Sequence, residues 1–149
     1  RQRAPRRDAA HDLAEAIRLV PNGVVSLVSA LRHHGLTTQL PNAVWMTIPH
    51  KARTPSVRVP KFEIVRATGE VLTAGIERIR VEGVEVPIFN VAKTVADCFK
   101  HRRQIGEDVA IEALRDALRQ RKTTASELMK YAEIDRVTGR LAPYIKAMQ

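Results

Sequence analysis

Ser29 and His33 lie four residues apart in a segment whose pattern predicts a helix, so their side chains fall on one face. A serine beside a histidine is the beginning of a nucleophilic pair, in which the imidazole accepts the hydroxyl proton. A working pair also needs a group that orients the imidazole and donors that stabilise an oxyanion, and the sequence indicates neither. We therefore expect a serine that packs between helices, next to a half-buried histidine.

Lys93, Asp97 and Cys98 form a second group with chemical potential. Asp97 could act as an acidic ligand or a general base. The four-residue spacing instead favours an ion pair with Lys93, worth about 0.2–0.5 kcal/mol on a helix surface, or a contact that holds a neighbouring loop. A negative charge beside Cys98 disfavours a thiolate, so we do not expect a reactive cysteine.

Metal and nucleotide sites leave sequence patterns that this chain lacks. The histidines form no HxxxH or HExxH pair, and there is no CxxC; they are His11, His33, His34, His50 and His101. No P-loop and no dinucleotide-binding glycine fingerprint occurs. No predicted strand carries the E-x-K pattern of nucleases, and no Gly-Ser precedes a paired-aspartate strand as in nucleotidyltransferases. Glu107, Asp108 and Glu112 lie on one predicted helix with no second acidic cluster. The sequence thus predicts no catalytic residue, no metal and no cofactor.

Basic clusters remain as the candidate binding residues. The net charge is +9, from 25 basic and 16 acidic residues, which favours a polyanion or an acidic protein as partner. One cluster is an N-terminal arm, the second is a basic elbow from Lys100 to Arg103, and the third follows the next helix. The candidate contact residues are Arg6, Arg7, Lys100, Arg102, Arg103, Arg119 and Arg121. Cations near helix C-termini also stabilise the helix dipole, so the last two clusters have a structural explanation too.

The spacing of apolar residues changes along the chain, and it predicts the helices and strands that position these residues. Residues 1–8 read as a basic linker, and residues 9–149 as one domain. Helical patterns occupy Ala9–Leu19 and Ser26–His34, strand patterns occupy the middle, and helical patterns return after Phe89. Glu82-Gly83 separates two strand patterns as a hairpin turn, Asn90 is placed to cap a helix, and Thr124 opens another. This order predicts an α+β fold: N-terminal helices, a small and largely antiparallel sheet, then C-terminal helices.

A helix-turn-helix is one further interpretation of the C-terminal part. Its two helices would end near Arg119 and begin at Thr124, and the second would present Glu127 and Lys130 outward. That pair is poorly suited to phosphate contact. For the basic clusters, we therefore expect supporting or non-specific phosphate contact rather than base-specific reading by these two helices.

Two long blocks resemble a known family. SALRHHGLTTQLPNAVWMTIP (Ser29–Pro49) and FNVAKTVADCFKHRRQIGEDVAIEALRDALRQRK (Phe89–Lys122) are similar to the C-terminal domain of AbiEi-type antitoxins of bacterial abortive-infection, type IV toxin–antitoxin systems. The similarity extends more loosely through Glu63–Ile88, Leu128–Ala132 and Pro143-Tyr144. Two blocks in the right order are more specific than a short motif.

The resemblance implies an antitoxin domain rather than an enzyme. Such domains neutralise a nucleotidyltransferase-like toxin, generally without a stable complex, and contribute to repression of their own operon. Operon promoter DNA is bound mainly by an N-terminal winged helix-turn-helix, which this chain lacks. The chain starts at Arg1 rather than Met, and we interpret it as a fragment. The family supplies no catalytic motif to carry over.

Other functions stay open at the level of sequence. One is a DNA-binding transcriptional regulator without an antitoxin role. Another is a nuclease-related or nucleotide-modifying enzyme with Asp97 and Glu112 in its site. No apolar run is long enough to cross a membrane, no signal peptide is visible, and one cysteine fits a reducing compartment, so we expect a cytoplasmic protein without a membrane partner.

Overall fold

The structure is a computed structural model that describes residues 9–149. The helices are α1 (Ala9–Leu19), α2 (Leu27–His33), α3 (Gly69–Thr73), α4 (Val91–Lys100), α5 (Arg102–Ile105), α6 (Glu107–Arg119), α7 (Ala125–Asp135) and α8 (Thr138–Met148). The strands are β1 (Val24–Val25), β2 (Val44–Pro49), β3 (Phe62–Ala67), β4 (Ile76–Val81) and β5 (Val84–Phe89). Helices at both ends and a sheet between them confirm the predicted α+β class.

The sheet is mixed, so the prediction of a largely antiparallel sheet is wrong. Its strand order is β3-β2-β1-β5-β4. Strand β1 pairs antiparallel with β2 and β5 pairs antiparallel with β4, whereas β1 with β5 and β2 with β3 are parallel. The error has a physical reason, because side-chain alternation reports which face a residue occupies and not the direction of its neighbours. The two-residue β1 at the centre of the sheet is also too short to show any period.

Local signals in the sequence fix several element ends as expected. The Asn90 Oδ1 accepts the Lys93 backbone N–H at 2.8 Å and begins α4. The Thr124 Oγ1 accepts the Glu127 backbone N–H at 3.1 Å and begins α7. Between β4 and β5, Glu82 and Gly83 have φ values of 51° and 75°, the left-handed pair that a tight hairpin needs.

Two buried clusters flank the sheet. The side chains of Val44, Met46 and Ile48 pack with Ile17 and the rest of the buried side of α1. Trp45, on the opposite face of β2, packs against the larger cluster. That larger cluster is built by α2, α4, α6, α7 and α8. The sheet therefore lies between α1 and the C-terminal helices, with α4 running through the middle of those helices.

None of the helices within residues 9–149 has the length and apolar character that crossing a membrane requires.

Candidate functional site

The basic elbow is the short connection between α4 and α6. The Arg102 guanidinium donates to the Phe99 carbonyl at 3.0 Å, so it satisfies a free carbonyl in the last turn of α4. The Lys100 Nζ reaches the Asp135 backbone carbonyl at 3.4 Å, a weak contact that places it beside the end of α7. Arg103 is exposed. The predicted elbow cations thus lie together on the surface, with one of them also capping a helix.

Two further arginines, which no sequence pattern indicates, lie near the elbow. Arg136 follows α7 directly, and Arg140 lies in the first turns of α8. Both are exposed, and both line an open groove of about 530 Å³ between the start of α6 and α8. The groove also includes Glu107, which follows the elbow immediately in the chain. We call the surface formed by Lys100, Arg102, Arg103, Arg136 and Arg140 the elbow face.

The third predicted cluster is at the other end of α6. That helix has 13 residues, so at about 1.5 Å per residue its ends are roughly 20 Å apart. Arg119 pairs with Asp116 at 2.6 Å, and the Lys122 Nζ donates to the His34 carbonyl at the end of α2. Arg121 is exposed. The structure therefore does not join Arg119 and Arg121 to the elbow, and two of these three cations have structural partners.

The remaining candidates are in the N-terminal arm. Arg6 and Arg7 lie outside the described residues, so the predicted arm has no structural counterpart to compare with the elbow face.

Ser29 has a structural partner, while the two histidines near it have different environments. The Ser29 Oγ accepts the Trp45 backbone N–H at 2.9 Å and so joins α2 to β2. His33 is exposed, and the half-buried histidine is His34, whose Nε2 donates to the Phe89 carbonyl at 2.8 Å. The expected packing role of Ser29 is confirmed, and the half-buried histidine is the neighbour of the one expected.

Lys93 and Asp97 form an ion pair inside the protein rather than on a helix surface. The Lys93 side chain is fully buried, and its Nζ donates to the Asp97 Oδ1 at 2.8 Å and Oδ2 at 3.0 Å. It also donates to the Val71 carbonyl at 2.8 Å and lies 4.0 Å from the centre of the Phe89 ring. The predicted Lys93–Asp97 ion pair is confirmed, whereas the alternative contact of Asp97 with a loop is not seen among residues 9–149, and it is Lys93 that contacts a neighbouring segment, helix α3. The surface estimate of a few tenths of a kcal/mol does not apply to this ion pair, because neither charge is solvated.

A second buried carboxylate completes this cluster. The Asp135 Oδ1 lies 3.7 Å from the Lys93 Nζ, and within residues 9–149 neither Asp135 side-chain oxygen accepts a hydrogen bond. Burial, and then the Asp135 carboxyl beside it, raise the pKa of Asp97 well above its usual range, and Lys93 only partly opposes this. One lysine facing two carboxyls is neutral when one carboxyl keeps its proton. We call Lys93, Asp97 and Asp135 the buried triad.

Cys98 is enclosed next to the triad. Burial raises the pKa of its thiol, and the negative charges of Asp97 and Asp135 raise it further. Its thiol is therefore protonated at neutral pH and inert as a nucleophile, as the sequence predicted.

The helices after α5 are not arranged as a helix-turn-helix. Helix α7 packs mainly on α4 and α8 rather than on α6. Its exposed positions include Glu127, Lys130 and Glu133, so the added carboxylate weakens phosphate contact further. The helix-turn-helix interpretation loses its structural basis.

The last two findings concern metal binding and similarity to known proteins. Across residues 9–149, no three His, Cys, Asp or Glu side chains converge as metal ligands. A comparison with models of known protein families matches none, and a comparison with curated proteins matches none.

Proposed function

We propose that this chain is the antitoxin domain of a type IV toxin–antitoxin system. It neutralises a nucleotidyltransferase-like toxin in the cytoplasm and contributes to transcriptional autoregulation of its operon. It does so through its surface and without catalysis of its own. The family resemblance of Ser29–Pro49 and Phe89–Lys122 supports the class of protein, and the elbow face supports the mode of action.

The observation that carries the proposal is the contact of Lys100 with the end of α7, which brings the elbow next to Arg136. Lys100, Arg102 and Arg103 come from one connection, and Arg136 and Arg140 from another, so folding assembles a positive surface that neither segment has alone. Exposed arginines are suited to phosphates or to a carboxylate-rich partner. Such a surface attracts either one over about 10 Å at moderate salt.

The enzyme alternative requires Asp97 and Glu112 in one site. Asp97 is 4% exposed and holds Lys93, whereas Glu112 is exposed on α6. A buried, paired carboxylate and a solvated one do not line a common cleft, so this pair favours a non-enzymatic role.

The test is charge reversal on the elbow face. Cells carrying a nucleotidyltransferase-like toxin are co-transformed with this chain or with the Arg102→Glu, Arg103→Glu double variant, and growth rescue is scored. We expect rescue to drop at least tenfold in surviving colonies. Thermal stability should fall by no more than about 1 kcal/mol, the cost of losing the Arg102 cap on α4.

The matched control is the Lys51→Glu, Arg53→Glu double variant. Both residues are exposed in the loop after β2, and the change in net charge is the same. Full rescue by the control with loss in the elbow variant supports the elbow face. Equal loss in both makes the effect one of total charge, and rescue by neither variant nor the original chain rejects the antitoxin role.

The second candidate function is that of a DNA-binding transcriptional regulator without an antitoxin role. In it the elbow face would contact the phosphates of promoter DNA. Its signature is promoter binding that weakens steeply with salt, by a log–log slope of about 0.9 for each phosphate contact, with no growth rescue. Both measurements on the same variants separate the two functions.

A further inference from the structure

The groove between the start of α6 and α8 combines cations with an aromatic ring. Arg136 and Arg140 line it, together with Tyr144 and Pro143, and its volume is about 530 Å³. Neither arginine side chain makes a hydrogen bond or an ion pair with any of residues 9–149. Two guanidinium groups are thus available beside a half-buried ring.

We propose that this groove binds a single-stranded nucleic-acid segment, with Arg136 and Arg140 on its phosphates and a base against Tyr144. The inference deepens the proposed function and rests on it, because the groove is part of the elbow face. Aromatic stacking combined with a cationic track is the common mode for single strands, and it tolerates many sequences.

Shape favours a single strand over a duplex. Distinguishing all four base pairs of a duplex uses an element that projects into its major groove. Here α8 buries Leu141 and Ile145 in the core and leaves a concave surface beside it. The Phe99 ring lies 5.8 Å from the Tyr144 ring, centre to centre, and supports that ring from within the protein. An unpaired base can enter such a concave surface, whereas a stacked pair cannot.

Glu107 sets the polarity of the groove. Its carboxylate lines the same groove and repels phosphate, so the phosphates should contact the side that carries Arg136 and Arg140. Replacing it with glutamine keeps the shape and removes the repulsion. We expect Glu107→Gln to bind a single strand about threefold more tightly.

Arg136 offers a variant that separates binding from folding. Its φ is 61°, in the left-handed region that favours glycine at the end of a helix. Glycine at this position should relieve backbone strain and raise the melting temperature slightly. Arg136→Gly should at the same time weaken single-strand binding about tenfold, a combination that loss of folding cannot produce.

The experiment measures fluorescence anisotropy of a labelled twelve-nucleotide single strand and of the same sequence as a duplex. It uses the full 149-residue chain at two salt concentrations. The variants are Arg136→Gly, Tyr144→Leu and Tyr144→Phe, with Lys146→Ala as the control, an exposed cation on α8 outside the groove. We expect tighter binding of the single strand, about tenfold loss with leucine, retention with phenylalanine and at most twofold loss in the control.

Several results would overturn the proposal. They are tighter binding of the duplex, no effect of Tyr144→Leu in a folded protein, or equal losses in Arg136→Gly and Lys146→Ala. Binding of a phosphopeptide more tightly than the single strand would also reject it. A chain that rescues growth without preferring single strands rejects only this inference, and one that prefers single strands without rescue rejects only the antitoxin role.

Discussion

Removing the lysine of the buried triad should destabilise the protein far more than removing a surface lysine. Lys93→Met keeps most of the length and the apolar character of the lysine stem but leaves Asp97 and Asp135 without a cation. Breaking a buried pair by removing one partner costs about 3–5 kcal/mol. The Lys93 Nζ also makes three hydrogen bonds of 2.8–3.0 Å, and Asp97 and Val71 lose them. Since small domains have about 5–15 kcal/mol of stability, the variant should be marginal or unfolded at 37 °C.

The assay is urea unfolding followed by circular dichroism at pH 7, with the midpoint and slope both fitted. Lys146→Met is the matched control, because Lys146 is exposed on α8 and should cost no more than about 0.5 kcal/mol. Adding Asp97→Asn to Lys93→Met should recover part of the loss, since it removes one buried carboxyl. A loss below 1 kcal/mol for Lys93→Met would refute the reasoning, because it would mean that water reaches the triad.

The raised pKa of Asp97 gives the triad a defined pH dependence. The folded state keeps a proton that the unfolded chain releases above about pH 4. Stability from this group is therefore complete below that pH and is lost as the pH rises through the folded-state value, by at most about 1.4 kcal/mol per pH unit. Asp135→Asn removes the neighbouring carboxyl that helps to raise the pKa of Asp97. It should flatten the decline in stability above about pH 4, and an unchanged pH profile would contradict the coupling of the two aspartates.

Three further substitutions test other contacts. Gly75→Ala should cost at least about 2 kcal/mol by urea unfolding, because Gly75 has φ 79° and a Cβ would lie 2.8 Å from the Lys93 Cβ; a loss below 1 kcal/mol would contradict this close approach. Ser29→Ala should cost about 1–2 kcal/mol, since the Trp45 N–H loses its acceptor, and a loss below about 0.5 kcal/mol would argue against the hydrogen bond as a stabilising contact. Arg121→Gly should raise the melting temperature by relieving a φ of 57°, and a lower melting temperature would show that its side chain holds the turn.

The elements that could be predicted are those with repeated apolar spacing or a strong local end signal. Helix α4 has both, with its apolar stripe and the Asn90 cap, and the turn at Glu82-Gly83 needs only two residues to specify it. By contrast, β1 consists of Val24 and Val25, directly after a turn and directly before α2. Its place at the centre of the sheet is set by its partners β2 and β5, which no local pattern contains.

The candidate site likewise has residues that a local sequence pattern indicates and residues that only tertiary packing brings in. The elbow cations are contiguous in sequence and were predicted together. Arg136 and Arg140 join them only because α7 returns along α4 and brings its C-terminal end to Lys100. Asp135 was missed for the same reason, since nothing near it in the chain indicates a lysine 42 positions earlier. A contact made by tertiary packing has no signal in one sequence, although a charged residue at a buried helical position would have been a clue.

The location of the charged residues determines how far the net charge of +9 accounts for attraction of a polyanion. One lysine and two aspartates are buried together, and the raised pKa of Asp97 reduces their summed negative charge, so they contribute little to the field outside. No Asp or Glu occurs between Glu15 and Glu63, so the loop after β2, with Lys51 and Arg53, is also positive. A diffuse positive field therefore acts on both sides of the molecule and raises the rate of encounter with any polyanion. Specific contact requires more than a diffuse field, and the elbow face combines its cations with a groove lined by Tyr144. The elbow variant and the Lys51 and Arg53 variant have the same net charge. The comparison of their growth rescue therefore shows whether the position of the cations or only their number matters.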